Sequence, residues 1–518
     1  MTITTFVGNT PKSQFDKGEA SSSRPYFWIW LLCAAALLLV ADGRNTIALA
    51  AWLAPALLLR FVRTRPAKVG LVIAYFALIV PRAIAMRGMI PIPGIFYYVF
   101  WIISGFSALL PYLADRLIAP RFKGVLSTLV FPCTLVAMQF AFSHGPVGSW
   151  GSMPYTQSGN LPLIQLLAVT GLWGITFLIG WFASSVNSVW QKEKSSAGAW
   201  RPLALFGAVY ITVILSGAAR LAFYPPSLPT VRVASLSPTK EGRQLPDGLL
   251  KAVTERKATD EQVGLFRTVT GAGQDELLTR SEREAKAGAR IIFWSETAAF
   301  VLKQDEPGLL TRAQALAAKY GIYLGLPLGT WTPGLPRSLE NKFVLIAPSG
   351  EIAWQYLKAR PTPGPEAAVS VKSDGILRHV DTPYGRLSAA ICYDTDFPRL
   401  MTQAGAQRDD VVLSPAGDWQ AIDPRHTEIA SFRAIEQGFN LVRQSNGGLS
   451  AAYDYQGRIL ASMDEYHSTD LTLVAQVPTR GVRTIYSRLG DWFAWLCILE
   501  GLTLVIFARR RTLSPNLP

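Results

Sequence analysis

Seven long apolar runs crowd the first 224 residues, more than a soluble core of that size can hide. They cover 27–43, 46–62, 69–87, 94–114, 124–143, 162–187 and 203–223. Each is near the ~20 residues that cross a hydrocarbon core as a helix, the first two being short. An eighth run, WFAWLCILEGLTLVIFA at 492–508, ends in Arg509, Arg510 and Arg511. Between the seventh and eighth runs, from about 225 to 488, short β-rich runs alternate with charged, helix-like stretches. The chain therefore reads as three parts. Residues 1–224 form a membrane domain with seven transmembrane helices. Residues 225–488 form an α/β domain, and 489–518 form a last span with a basic tail. No clear cleavage site precedes the second run, so the first is expected to be an anchor rather than a removed signal peptide.

The formal charge of +14 needs an explanation. On a soluble protein it would suggest nucleic acid; here its distribution explains it. With the N-terminus inside, the inner segments hold Lys12, Lys17, Arg24, Arg60, Arg63, Arg65, Lys68, Arg116, Arg121, Lys123, Lys192, Lys194, Arg201 and Arg509 to Arg511. The short outer loops hold only Arg44, Arg82 and Arg87. Basic residues stay on the cytoplasmic side of spanning helices. The sixteen-to-three split predicts eight spans, both ends inside, and the 225–488 domain outside. No nucleic acid is implied.

The outer domain reads as α/β. VRVASLS (231–237), RIIFW (290–294), IYLGLPLG (322–329), GRLSAAIC (385–392) and DVVLSPA (410–416) have strand character. NKFVLIAPSGEIAWQYLK and GLSAAYDYQGRILASM read as hairpins. ELLTRSEREAKAGA, TRAQALAAKYG and RHTEIASFRAIEQGF read as helices. This alternation predicts layered sheets and helices.

Three chemically capable residues follow predicted strands: Glu296 after RIIFW, Lys358 after IAWQY and Cys392 after RLSAAI. Sites collect at strand ends in α/β sheets. A thiol becomes a nucleophile when a cation stabilises its thiolate and a base takes its proton. Lys358, with the Tyr393 backbone N–H, is suited to holding an oxyanion. Each residue also has an ordinary reading: Cys392 as packing, Glu296 as a turn cap, Lys358 as a solvated charge. Cys33, Cys133 and Cys497 lie in apolar runs, which leaves Cys392 without a disulfide partner in its own region. No CxxC or clustered histidines suggest a metal site. The prolines of RPTPGPE (360–366) predict a loop beside Lys358.

FWSETA, YLKARPTPGPE and ICYDTDFP, in that order and spacing, resemble the Glu–Lys–Cys motifs of the nitrilase superfamily. Seven spans, such a domain outside and one final span resemble the apolipoprotein N-acyltransferase family. GSMPYTQSGNLPLIQLLAVTGLWGITFLIGW (151–181) resembles that family's loop and following span, and residues 426–460 resemble the superfamily's helix, strand and closing hairpin. The resemblance covers nearly the whole chain. It implies an α-β-β-α sandwich with Cys392 as nucleophile, Glu296 as general base and Lys358 as the essential lysine. It also implies a second functional glutamate at Glu366, and supporting roles for Tyr393, Asp394 and Trp419. Three features depart from the family pattern. Asp394 stands where glutamate is usual, SLSPTKEGRQLPDG lacks a tryptophan the family often carries, and the usual Asn-Asp-Ala-Trp reads Ala-Gly-Asp-Trp, ending at Trp419.

The implied reaction is transfer of an acyl chain from a membrane phospholipid, through a cysteine thioester, to the α-amino group of a diacylglyceryl-cysteine on an apolipoprotein. The implied location is a bacterial inner membrane, with the catalytic domain on the periplasmic face. No cofactor is implied. Two alternatives stand beside it: a membrane-anchored amidase using water, and a non-catalytic scaffold that binds lipoproteins.

Overall fold

The computed structural model describes residues 27–191, 200–226 and 229–513. Lys12, Lys17, Arg24, Lys192, Lys194 and the last five residues of the basic tail lie outside the described residues, as does the side chain of Arg511. Helices occupy Phe27–Ala41, Ala48–Arg63, Ala67–Ala85, Ile95–Ile118, Val125–Ser143, Leu172–Gln191, Arg201–Phe223 and Trp492–Leu513. The six from Ala67 onward are long and apolar enough to cross a membrane. The first two, of 15 and 16 residues, are shorter. Ile102, Phe106, Ile211 and Leu215 point outward uncovered, as side chains facing lipid do.

One apolar run is not a single helix. The run 162–187 starts as two single-turn pieces, Leu161–Ile164 and Leu167–Thr170, and becomes continuous only at Leu172. Gly171 makes the break at φ +61, where a Cβ would stand 2.4 Å from the Tyr486 ring. Only glycine permits both that backbone and that approach.

Among the described residues thirteen strands follow: β1 Thr230–Leu236, β2 Ile291–Trp294, β3 Ala299–Leu302, β4 Tyr323–Trp331, β5 Leu339–Ile346, β6 Ile352–Leu357, β7 His379–Thr382, β8 Gly385–Ala389, β9 Val411–Gly417, β10 Asn440–Asn446, β11 Leu449–Tyr453, β12 Ile459–Asp464 and β13 Thr472–Pro478. They form two sheets, β13-β1-β2-β4-β5-β6 with β3 beside β4, and β12-β11-β10-β9-β8-β7. Val233, Phe293 and Phe343 of the first sheet face Leu387, Leu413 and Leu441 of the second in one apolar core. Helices Asp260–Lys286 and Glu306–Tyr320 cover the first sheet through Leu277, Leu309 and Ala313. Helices Pro398–Gln407 and Arg425–Gln437 cover the second. The layers run helix, sheet, sheet, helix, which is the expected sandwich.

The helix read at 276–289 is in fact Asp260–Lys286, opened by a reciprocal cap between Thr259 and Gln262. Its first half carries Thr, Gly and Asp and lacks a long apolar stripe, so periodicity missed it. β3 and β7, of four residues each, have no counterpart in the strands read from the sequence.

Helix Arg425–Gln437 is buried along both faces. Ala430 and Ala434 meet the second sheet, while Ile429, Phe432 and Ile435 pack on Trp52, Leu163 and Trp173 of the helical part. This helix joins the two architectures, and its first turn carries His426 into the site.

Candidate active site

The ends of β2, β6 and β8 converge between the sheets, and the three strand-end residues meet there. Lys358 is buried; its Nζ donates to Glu296 Oε1 at 2.7 Å and to Glu366 Oε2 at 2.9 Å. Asn341 Nδ2 bridges the same carboxylates, donating to Glu296 Oε1 at 2.8 Å and Glu366 Oε1 at 2.9 Å. Glu296 Oε2 accepts the Gly417 N–H at 2.9 Å. The Cys392 thiol contacts the carbonyl of the same Gly417 at 3.9 Å. Glu296 and the sulfur are thus gathered at the end of β9.

Burial would strip Lys358 of its charge, but Glu296, Cys392 and Glu366 hold the ammonium well above its ordinary value. Burial likewise opposes ionisation of Glu366, but Lys358, the Thr362 N–H and the Asn341 amide together outweigh it, so that carboxyl is held low. One ammonium and two carboxylates leave the cluster with a net charge of minus one. It can accept a proton without creating a buried net charge. Burial and the Glu296 charge push the Cys392 thiol up, while Lys358 and His426 pull it down.

The backbone at Cys392 is strained. Cys392 has φ +48, and Thr297, just after Glu296, has φ +46. Such backbones persist in non-glycine residues only where the surroundings hold them. Asp394 supplies that hold. Its Oδ2 accepts from Ile391 N at 3.0 Å and Tyr356 Oη at 2.7 Å, and its Oδ1 from Arg360 N at 2.7 Å. The side chain therefore ties the cysteine turn to the loop after Lys358. Burial pushes its carboxyl up to about 6. The aspartate in place of the usual glutamate is short and fully occupied within the protein.

RPTPGPE is a loop only to Gly364. Pro365 opens a single-turn helix, Pro365–Val369, with Glu366 in its first turn. Proline is at home there because that N–H has no helical partner to lose. Glu366 Oε2 also accepts from Thr362 N at 2.8 Å.

Tyr393 Oη donates to Pro146 O at 3.1 Å, and Trp419 Nε1 to Gly88 O at 2.7 Å. Both acceptors belong to loops of the helical part, so these residues join the two parts rather than enter the polar cluster. Beside them a cleft of about 510 Å³ with its mouth reaches Cys392, and its walls include Met89, Ile90, Ile92, Val147 and Trp150. A second, open hollow lies among helices Ala67–Ala85, Ile95–Ile118 and Val125–Ser143 and shares Ile90, Val147 and Trp150 with the first.

Sequence reasoning missed four contributors. Asn341 sits in β5, where a lone asparagine gives no signal. Asp396, Asp418 and His426 form a buried chain: His426 Nε2 lies 2.8 Å from Asp396 Oδ2, and Nδ1 lies 2.6 Å from Asp418 Oδ1. The polar HTE at the start of an otherwise apolar helix face was the available hint. Among the described residues, Cys392, Asp418 and His426 bring potential metal-ligand atoms within 4.8 Å of one another. They do not fit a metal. Arg443 Nη2 stands 3.0 Å from both Asp418 oxygens, so a guanidinium already occupies the cation's side of that carboxylate.

The carbon-nitrogen hydrolase family matches residues 270–486, a span that contains Glu296, Lys358, Glu366 and Cys392. The apolipoprotein N-acyltransferase of Bradyrhizobium diazoefficiens is 27% identical over 75% of this chain and 74% of its own. Apolipoprotein N-acyltransferase 2 of Treponema pallidum is 25% identical over 70% and 73%, and the Geobacter metallireducens enzyme 25% over 78% of each chain. Among solved structures, an amidase from Nesterenkonia sp. is 19% identical, covers 49% of this chain and 94% of its own, and superposes with a TM-score of 0.39. The chain thus joins apolar helices long enough to cross a membrane to a helix–sheet–sheet–helix sandwich, of which residues 270–486 match the carbon-nitrogen hydrolase family, and it is similar over about three quarters of its length to apolipoprotein N-acyltransferases.

Proposed function

We propose that this protein is an N-acyltransferase that moves an acyl chain from a membrane phospholipid to the α-amino group of a diacylglyceryl-cysteine on an apolipoprotein. The names of its relatives support lipoprotein N-acylation. One observation carries the finer reading. A thiol beside a Lys–Glu–Glu cluster stands at the floor of a cleft walled by apolar residues from the helical part. A soluble amide has no use for such walls; an acyl chain does.

The steps follow from the cluster. Glu296 takes the Cys392 proton, and the thiolate adds to the ester carbonyl of the donor. Lys358 and the Tyr393 N–H, free at the first turn of a 3-10 helix, face the developing oxyanion. The ester C–O bond breaks, the proton goes to the departing oxygen, and lysophospholipid leaves. The acceptor amine then adds to the thioester, gives its proton to Glu296, and the C–S bond breaks to return Cys392. Glu366 keeps the cluster from becoming net positive while Glu296 holds the proton. The short segment 360–366 acts as a lid that limits water.

In this reading residues 1–224 and 489–518 hold the protein in a bacterial inner membrane. The 225–488 domain lies on the outer face, where exported lipoproteins arrive. The test is to give purified protein a phospholipid and a diacylated lipopeptide and weigh the products. A triacylated peptide with lysophospholipid supports the reading. Free fatty acid with an unchanged peptide would sink it in favour of hydrolysis.

A further inference from the structure

The chain Asp396–His426–Asp418–Arg443 is buried beside the nucleophile and takes no part in the steps above. It alternates in sign. Asp396 Oδ2 lies 2.8 Å from His426 Nε2, Asp418 Oδ1 lies 2.6 Å from His426 Nδ1, and Arg443 Nη2 lies 3.0 Å from both Asp418 oxygens. Every side chain involved is at most 4% exposed. A carboxylate only accepts, so a ring with a carboxylate on each nitrogen is satisfied by a proton on each. Arg443 Nη2 also lies 2.8 Å from Nδ1, the contact a neutral ring would accept. Charge decides between the two. With an imidazolium, two anions face two cations and the network is neutral. With a neutral ring, one uncompensated carboxylate is buried next to a thiol that must ionise, and that is costly.

The helical part presses on this network from outside. Ser149 donates through N at 2.8 Å and Oγ at 2.7 Å to the Asp396 carbonyl. Gly148, at φ +57, lets the chain approach so closely that a Cβ would stand 2.5 Å from that oxygen. The Trp150 ring meets the imidazole edge-on with 5.6 Å between centroids.

We propose that His426 is a permanently charged positioning residue, an imidazolium pinned by Asp396 and Asp418, which joins Lys358 as a second buried cation stabilising the Cys392 thiolate. The proposal rests on Cys392 being the reactive thiol, but not on the identity of the acyl donor or acceptor. Asp396, Asp418, Arg443 and Cys392 are the ionisable groups around the ring; Glu296 and Lys358 face the sulfur from its other side. Against the cost of burial, Asp396 and Asp418 hold the imidazole well above its ordinary value.

Two measurements test it on the full-length protein in detergent or nanodiscs. The first is nitrogen-15 NMR of the histidine rings in wild type, with the His426 signals assigned by their loss in His426→Gln. Both ring nitrogens should remain protonated from pH 6 to 9. A ring that titrates in this range, or a neutral tautomer with bare Nδ1, overturns the proposal.

The second is the pH dependence of Cys392 alkylation by iodoacetamide, read by mass spectrometry. It needs no acyl substrate, so failure of the acyltransfer reading would not disturb it. His426→Gln should move the alkylation midpoint up by about one unit, roughly a tenfold loss of rate below the midpoint. Adding Asp396→Asn to His426→Gln removes the stranded anion and should recover part of that loss. An unmoved midpoint in folded His426→Gln, or a double variant no more reactive than the single one, refutes the electrostatic role.

Discussion

The floor of the cleft and its walls solve different problems with different materials. The floor is polar and over-determined: Lys358 is held by two carboxylates, Asn341 bridges both, and Gly417 touches Glu296 and Cys392. Glu296, Lys358, Cys392 and Gly417 come from strand ends or the turns just beyond them, Asn341 from within β5 and Glu366 from the helix Pro365–Val369. The walls are apolar and draw on the other architecture, on loops that follow Ala67–Ala85 and Val125–Ser143, together with Trp419 and Ile422 of the α/β part. Only a few hydrogen bonds tie them down, such as Trp419 to Gly88 and Tyr393 to Pro146. Reaction geometry must hold to a fraction of an ångström, whereas an acyl chain is recognised by area, which tolerates error. Substitutions in the floor should therefore destroy chemistry, and substitutions in the walls should tune access.

The sharpest break falls on the floor. Cys392→Ala should abolish both thioester formation and transfer while leaving membrane insertion and thermal unfolding unchanged. Glu296→Gln should slow thioester formation by about 10²–10⁴, the range of a general base. Burst-phase mass spectrometry reads both, and sustained turnover in Cys392→Ala would remove the nucleophile from the mechanism.

Glu366 comes next. Its loss leaves the cluster neutral at rest, so the proton taken by Glu296 would create a buried positive charge. Glu366→Gln and Glu366→Ala should both slow the first step, on the order of a hundredfold. Near-wild-type rates with Gln would show that shape, not charge, is what Glu366 supplies.

The pH profile sharpens the same point. Asp394 is raised to about 6, so it is charged above that pH and neutral below it. For stability the sign is fixed: the folded chain binds this proton more tightly, so its contribution grows as pH falls from 6 towards the ordinary aspartate value. For activity the effect is opposite, because a new proton meets three donors already aimed at the carboxylate. Thioester formation should show an acid limb near pH 6, and that limb should be missing from the residual activity of Asp394→Asn.

The smallest effect belongs to the wall. Trp419→Phe keeps the ring and loses the bond to Gly88. It should raise KM for phospholipid a few-fold, while iodoacetamide alkylation of Cys392 keeps its wild-type rate. A slowed alkylation would mean that the wall also shapes the floor.

Much of this was legible in the chain. Apolar runs near the length of a bilayer core predict their own helices, because a backbone in hydrocarbon must satisfy its hydrogen bonds internally. Strand alternation and the spacing of Glu296, Lys358 and Cys392 are local or motif-scale signals, and the strands ended where those residues needed them. Glu366, eight residues after Lys358, is close enough in sequence to be found from it. Asn341, Asp396, Asp418 and His426 were not found as site residues, although each was in view. A polar side chain in a strand or a helix turn has no sequence signature until the fold chooses its neighbours. His426 meets Asp396 across 30 residues and Arg443 across 17, and Ser149 reaches Asp396 across 247. Such pairings depend on how two sheets, a buried helix and a loop from the helical part close on one another. Hydrophobic pattern and strand period are properties of neighbouring residues, and the sequence alone determines them. The charge balance around a buried thiol is a property of non-neighbours brought together, and only the tertiary structure decides it.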